Sequence, residues 1–307
     1  MNKKLPIILI TVFFSGASVV ALFLFIFFQN EGIHSENRKG DLPTHASYSF
    51  DKESFFEGVV TARRLGSYDD GGILAGGVIP HHTLPGFLIA RFFLTLSDQE
   101  TPPERIILIG PNHPDAGSSI VLTSSRKWET PFGRVDVDEE IVNKLLSQAV
   151  VGEDASIISR EHSVVAIMPY IKYYLPEARV VPIVIQSKAD AELVRRLTEL
   201  LTSVSEARTV VVAAVDFSHY LTAAEATEKD RETKHLLLAF ESDAFYDLGN
   251  EYLDSPASIA LLLEMMKVRG VSGADIFENT NSGFLSGDFR KPVTSYFTVG
   301  FFPDGIK

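Results

Sequence analysis

Three apolar runs of this chain end in histidine: Ile79-Pro80-His81, Pro111-Asn112-His113 and Asp216-Phe217-Ser218-His219. An imidazole offers either a lone pair to a metal or a proton near neutral pH, so its position decides its chemistry. In an open α/β sheet, ligands bind beyond the carboxyl ends of the strands. One such histidine would most simply be a hydrogen-bonding loop residue. Three at equivalent positions, out of eight in the chain, point instead to a shared crevice.

Two further groups stand before helical patterns. Glu161-His162-Ser163 precedes VVAIMPYIKYYLP, and Asp254-Ser255-Pro256 precedes an apolar run from Ala257 to Lys267. Each acidic residue reads equally well as a helix-start residue or as part of a site. His162 has no such structural explanation. The chain has no cysteine, so any metal must be held by histidines and carboxylates. Ser218 and Ser286 are the hydroxyl candidates for a nucleophile, but there is no Gly-x-Ser-x-Gly elbow. The glycine-rich GGILAGG lacks the Lys and Ser/Thr of a nucleotide-binding loop.

The elements that would position these residues alternate. Strand-like runs cover Ile73 to His81, Arg105 to His113, Ser119 to Ser124, Arg179 to Gln186, Val210 to Phe217, a weaker ADIFENT, and Ser295 to Phe302. Between them lie helical patterns at Leu84 to Leu96, Asp138 to Gln148, Val164 to Tyr174, Asp190 to Ser203, Ala223 to Phe240 and Ala257 to Lys267. In the fourth helix, Leu193, Leu197, Leu200 and Leu201 share a face that Glu192, Arg195, Arg196 and Glu199 mostly avoid. Strands apolar throughout and separated by helices predict an α/β fold, one domain over 48–307 with a central, mostly parallel or mixed sheet flanked by helices.

Ahead of that domain, Leu5 to Phe28 is uncharged over 24 residues. At 1.5 Å per residue it spans roughly 36 Å, enough for one N-terminal transmembrane helix. Residues 1–29 are therefore expected to anchor the chain, uncleaved because no small-x-small site ends the apolar stretch. Lys3 and Lys4 place the N-terminus in the cytoplasm and the domain outside it. The polar segment 30–47 reads as a linker, with His34 and His45 solvated in it. Beyond the anchor the chain has 26 basic and 40 acidic residues, a net charge of −14. Nucleic acid is therefore excluded as a partner.

Taken in order, IPHH, ILIGPNH, WETPFG, EHSVVAIMPY, VDFSHY, LDSPASIALLLEMM and SGDFRKPVTSYFTVGFF resemble the Memo family, called AmmeMemoRadiSam system protein B in prokaryotes. The resemblance runs from about Gly72 to Phe302. It implies a fold like that of class III extradiol dioxygenases and a divalent metal held by His81, His113 and Asp254. The third ligand is a Cys in the animal protein, and a carboxylate there favours Fe(II), with copper second. The same resemblance places His219, as an acid/base, with Asp216, His162 and Glu161 around the metal. This chain has Ile167 where the family often has a further His, and His82-Thr83 where it has Ala-Gly. On an extended strand His81 and His82 could not both face the pocket. The implied function is a non-haem iron or copper redox enzyme outside the cytoplasmic membrane, acting on a small-molecule or peptide ligand, with other AmmeMemoRadiSam proteins as partners. The alternative is a non-catalytic metal- or peptide-binding module on the same fold.

Overall fold

The computed structural model describes residues 44–46, 50–68, 72–204, 208–271 and 273–303. The expected anchor at 1–29, His34 and most of the expected linker lie outside the described residues. Among the described residues, no helix is long and apolar enough to cross a membrane.

The strands are β1 (Gly76–Ile79), β2 (Arg105–Pro111), β3 (Val121–Thr123), β4 (Trp128–Thr130), β5 (Gly133–Val137), β6 (Val151–Glu153), β7 (Arg179–Ile185), β8 (Thr209–Ala214), β9 (Phe217–Leu221), β10 (Gly273–Asn281) and β11 (Val293–Phe302). Their order is β10-β11-β1-β8-β2-β7-β3-β6, with β9 paired to β11, β5 to β7 and β4 to β5. The central neighbours β1, β8, β2 and β7 run parallel. β11 is antiparallel to β1, and β3 to β7. The result is a single α/β body with a mixed sheet.

The central strands are buried along their length, β2 and β8 at every residue. Helices must therefore cover both faces, and two adjacent glycines show that they do. A Cβ on Gly76 would strike Met266 of the helix Pro256–Val268, whereas one on Gly77 would strike Phe92 of the helix Gly86–Asp98. Consecutive residues of a strand face opposite sides. In the helix Ala191–Val204, Leu193, Leu197 and Leu201 are buried while Glu192, Arg195, Arg196 and Glu199 are exposed. Each buried leucine contributes about 1.5–3 kcal/mol relative to an exposed one.

Four expectations change. The run Val210 to Phe217 is not one strand: β8 stops at Ala214 and the chain turns before β9, which pairs antiparallel with β11 at Thr294–His219 and Ser295–Phe217. The turn is held by backbone bonds from Val215 N–H to Ile79 O, 2.9 Å, and from Asp254 N–H to Asp216 O, 3.1 Å. The helix expected from Val164 to Tyr174 is two, His162–Val165 and Met168–Tyr174. Pro169, in the first turn of the second, has no N–H to continue the first.

The third change is the helix Lys52–Leu65, which opens the body and was not foreseen. Asp51 caps it by accepting from Glu53 and Ser54 N–H, and Phe55, Val59 and Ala62 form its buried stripe. The fourth is His45, expected to be solvated. It is 3 % exposed, and its backbone pairs with Lys127 and Glu129 on either side of Trp128. Its Nε2 lies 2.9 Å from Ser124 Oγ. The end of the expected linker is therefore part of the folded body, because β4 would otherwise leave a free edge there.

Candidate metal centre

β1 and β8 are adjacent and parallel, so the segments following Ile79 and Ala214 leave the sheet side by side. His81 follows β1, His113 follows β2, and Asp216 follows β8. Asp254 arrives from the turn before the helix Pro256–Val268. The sequence left open whether Asp254 caps that helix. Ser255 occupies the cap position, with no side-chain cap bond, and Pro256 starts the helix. The Asp254 carboxylate turns instead toward the histidines: its Oδ2 lies 3.4 Å from His81 Nε2 and 3.6 Å from His113 Nε2.

Both imidazoles are held by the nitrogen that faces away from Asp254. His81 Nδ1 lies 3.1 Å from Ala214 O, which can only accept, so Nδ1 carries the proton and Nε2 the lone pair. His113 Nδ1 lies 2.7 Å from Glu161 Oε1, and the His113 backbone N–H donates to Glu161 Oε2 at 2.9 Å. Glu161 also accepts from Ser163 N–H at 3.1 Å, so it caps the short helix and orients His113 at once.

Asp216 is fully buried. Its Oδ1 accepts the His81 backbone N–H at 3.1 Å, and its Oδ2 lies 2.7 Å from His82 Nδ1 and 3.5 Å from His81 Nε2. His82 thus reaches the same carboxylate as His81. The alternation expected of a strand does not apply, because β1 ends at Ile79 and the chain bends at His82 and Thr83. Tyr296 Oη, 3.5 Å from His82 Nδ1, is a neighbour that nothing in the pattern of β11 revealed.

His162 stacks on His113 with ring centroids 4.0 Å apart and stands 4.8 Å from the His81 ring. His81, His113 and His162 bring one nitrogen each within 4.8 Å of one another, and so do ligand atoms of His81, Asp216 and Asp254. His219 projects from β9 with a buried Nδ1 that has no hydrogen-bond partner among the described residues. Ser218 points the other way, donating to Asp230 Oδ1 at 2.8 Å, which removes it as a nucleophile. Ser286 is exposed and donates to Ser282 O.

The charges around this cluster are unequal. Burial alone would lower the His113 pKa, but the carboxylates of Asp254 and Glu161 reverse that and raise it to about 10. Glu161, which burial would push up, is held at about 2 chiefly by His113. Asp216 is likewise held at about 2 against burial by His81 and His82. His82 is raised, first by its bond to Asp216. Burial, together with the neighbouring His81 and His113, lowers His162 to about 4. His219 is lowered by burial.

Carboxylates therefore concentrate negative potential where the two Nε2 atoms converge, a place that favours positive charge, whether the proton on His113 or a metal that replaces it. Ligand atoms sharing a first-row cation at about 2.0–2.2 Å stand about 3–3.5 Å apart, close to the separations between Asp254 and the two histidines. Asp254 Oδ1, buried and without a hydrogen-bond partner among the described residues, offers a second oxygen. The residues present fit a divalent metal.

Comparison with known proteins agrees with the sequence motifs. Residues 76–299 match the Memo-like protein family. A MEMO1 family protein of Methanosarcina acetivorans is 34% identical over 226 residues, 71% of this chain and 82% of that protein. Another, of Caldivirga maquilingensis, is 29% identical over 234 residues, covering 73% and 82% respectively. Among solved structures, an uncharacterized protein from Escherichia coli superposes with a TM-score of 0.50 at 12% identity, over 73% of this chain and 99% of that one, a likeness of fold alone.

Proposed function

The chain belongs to the Memo family, and from that premise we propose a metal-binding protein whose cation is held by His81 Nε2, His113 Nε2 and the Asp254 carboxylate. The observation that carries this reading is the fixed ring orientations: both Nδ1 atoms are tied to acceptors, leaving both Nε2 atoms facing one carboxylate oxygen. Two imidazoles and a carboxylate without a thiolate favour Fe(II) over copper. Bound Fe(II) would supply open positions for a chelating substrate and dioxygen, the basis of a redox enzyme of dioxygenase type.

The protein groups have separable tasks. Glu161 orients His113, and Asp216 fixes both the His81 backbone and the His82 ring. His219, whose pKa burial lowers, is the group that could take a proton from a substrate hydroxyl. The neutral His162 flanks the ligand position as a proton carrier or a further nitrogen donor. The apolar stretch Leu5 to Phe28, behind Lys3 and Lys4, supports a body held outside the cytoplasmic membrane.

Metal analysis of the purified chain tests the site. One iron per chain, lost in His113→Ala, is expected, and unchanged metal content in that variant would overturn the ligand assignment. Oxygen consumption with catechols then separates enzyme from binding module: a metal-loaded chain inert to every catechol tried favours the module. A C-terminal reporter active only in the cytoplasm would reverse the topology.

A further inference from the structure

A cavity of about 520 Å³ lies at the opposite end of the strands from the histidines. Its wall includes Leu74 and Ala75, just before β1, and Thr209 and Val210, which open β8. It is well within the size range of small-molecule sites.

Arg269 lines it, at the C-terminal end of the helix Pro256–Val268. Its Nη1 donates to Ala75 O at 2.9 Å and to Thr209 O at 2.8 Å. A guanidinium has five N–H donors, and among the described residues Nε and Nη2 have no partner and no carboxylate pairs with this arginine. The other arginine on the wall is already engaged: Arg208 Nη2 donates to Pro102 O at 2.7 Å, and its Nη1 pairs with Glu104. Burial, with no opposing influence, lowers the Arg269 pKa to about 10. An unpaired half-buried cation is costly, and a planar fork with one edge free matches a carboxylate bidentately.

We propose that this cavity binds a small monocarboxylate with an aliphatic or aryl body, its carboxylate on Arg269 Nε and Nη2 and its body against Leu74, Ala75 and Val210. Thr101 and Thr202 supply hydroxyls on the same wall. A single negative charge fits better than a polyphosphate, because one fork is free and the body of the protein carries a net charge of −14. The site is separate from the metal centre and does not depend on the metal reading.

Calorimetric titration of the full chain in mild detergent with benzoate, hexanoate and inorganic phosphate tests this. One carboxylate per chain should bind saturably, at least tenfold more weakly in Arg269→Gln and in the cavity-filling Thr202→Phe, and unchanged in His113→Ala. The Thr202 variant keeps the test valid if the Arg269 variant does not fold. Absence of saturable carboxylate binding by the unaltered chain, unchanged binding in Thr202→Phe, or phosphate bound more tightly than either carboxylate would each overturn the proposal.

Discussion

Glu161 grips His113 twice: Oε1 lies 2.7 Å from the ring Nδ1, while Oε2 accepts the backbone N–H of the same residue at 2.9 Å. Ring and backbone are thereby fixed by one carboxylate, which leaves His113 Nε2 a single direction. Glu161→Gln can accept only one of these bonds, since its amide nitrogen would face a donor. Metal affinity is expected to fall about 10- to 100-fold, as for other residues that orient metal-binding histidines. Competition with a coloured chelator measures it, and affinity equal to the unaltered chain would show that Glu161 is only a cap.

Gly110 makes that grip possible. A Cβ there would lie 2.5 Å from Ser163 Oγ and 2.7 Å from Ser163 Cβ, so only glycine lets the helix His162–Val165 sit against the end of β2. Gly110→Ala is expected to cost about 1–3 kcal/mol by overpacking and to weaken metal binding by moving Glu161. Adding Ser163→Gly, which removes both clashing atoms, should restore part of each loss. Urea unfolding and the chelator assay read the two effects, and no recovery in the double variant would place the strain elsewhere.

Asp230 secures His219 from behind. Its Oδ1 accepts from Ser218 Oγ at 2.8 Å and Ser295 Oγ at 2.6 Å, and its Oδ2 from Asn279 Nδ2 at 2.8 Å, tying β9, β10 and β11 to one buried carboxylate. Asp230→Ala leaves these donors without their acceptor and should destabilise the fold by about 3 kcal/mol. Loss of hydrogen-exchange protection should concentrate in 217–221 and 293–295. Protection lost evenly across the sheet would contradict a local role.

Long buried strands made most of this fold legible. β2, β7 and β8 are continuous apolar runs, and their ends give the positions of His113 and Asp216 before any contact is known. Where an element is short or an edge, periodicity has nothing to act on: β3, β4 and β6 have three residues each. The direction of His82 depends on where β1 stops and on the bend that follows at His82 and Thr83, which periodicity does not report. The grid around Asp230 joins residues up to 65 apart in sequence, and no local pattern encodes it. His45 looks solvated in the sequence because its partners, Ser124 and Trp128, lie far along the chain.

Burial lowers the His45 pKa to about 4, against 6.5 for the free side chain. The folded chain therefore keeps His45 neutral while the unfolded chain takes up a proton as pH falls below 6.5. Stability contributed at this position is complete above 6.5 and declines until pH passes about 4, where both states are protonated. The urea midpoint of the unaltered chain should drop more between pH 7 and pH 5 than that of His45→Gln, which cannot titrate. Equal drops in the two proteins would sink this assignment.

Asp254 offers the sharpest separation of structural from chemical roles, because the sequence allowed both. As a helix cap, its loss would cost about 1 kcal/mol whether or not metal is present. The geometry makes a different demand: the carboxylate faces His81 and His113, and Ser255 holds the cap position without a side-chain bond. In Asp254→Ala, metal content should therefore fall at least tenfold. The His113 pKa, raised in part by the Asp254 carboxylate, should move down in the metal-free variant, as followed by the pH dependence of its ring NMR signals. Full metal occupancy combined with a loss of about 1 kcal/mol would return Asp254 to the role of a cap and leave His162 as the remaining candidate for the third ligand.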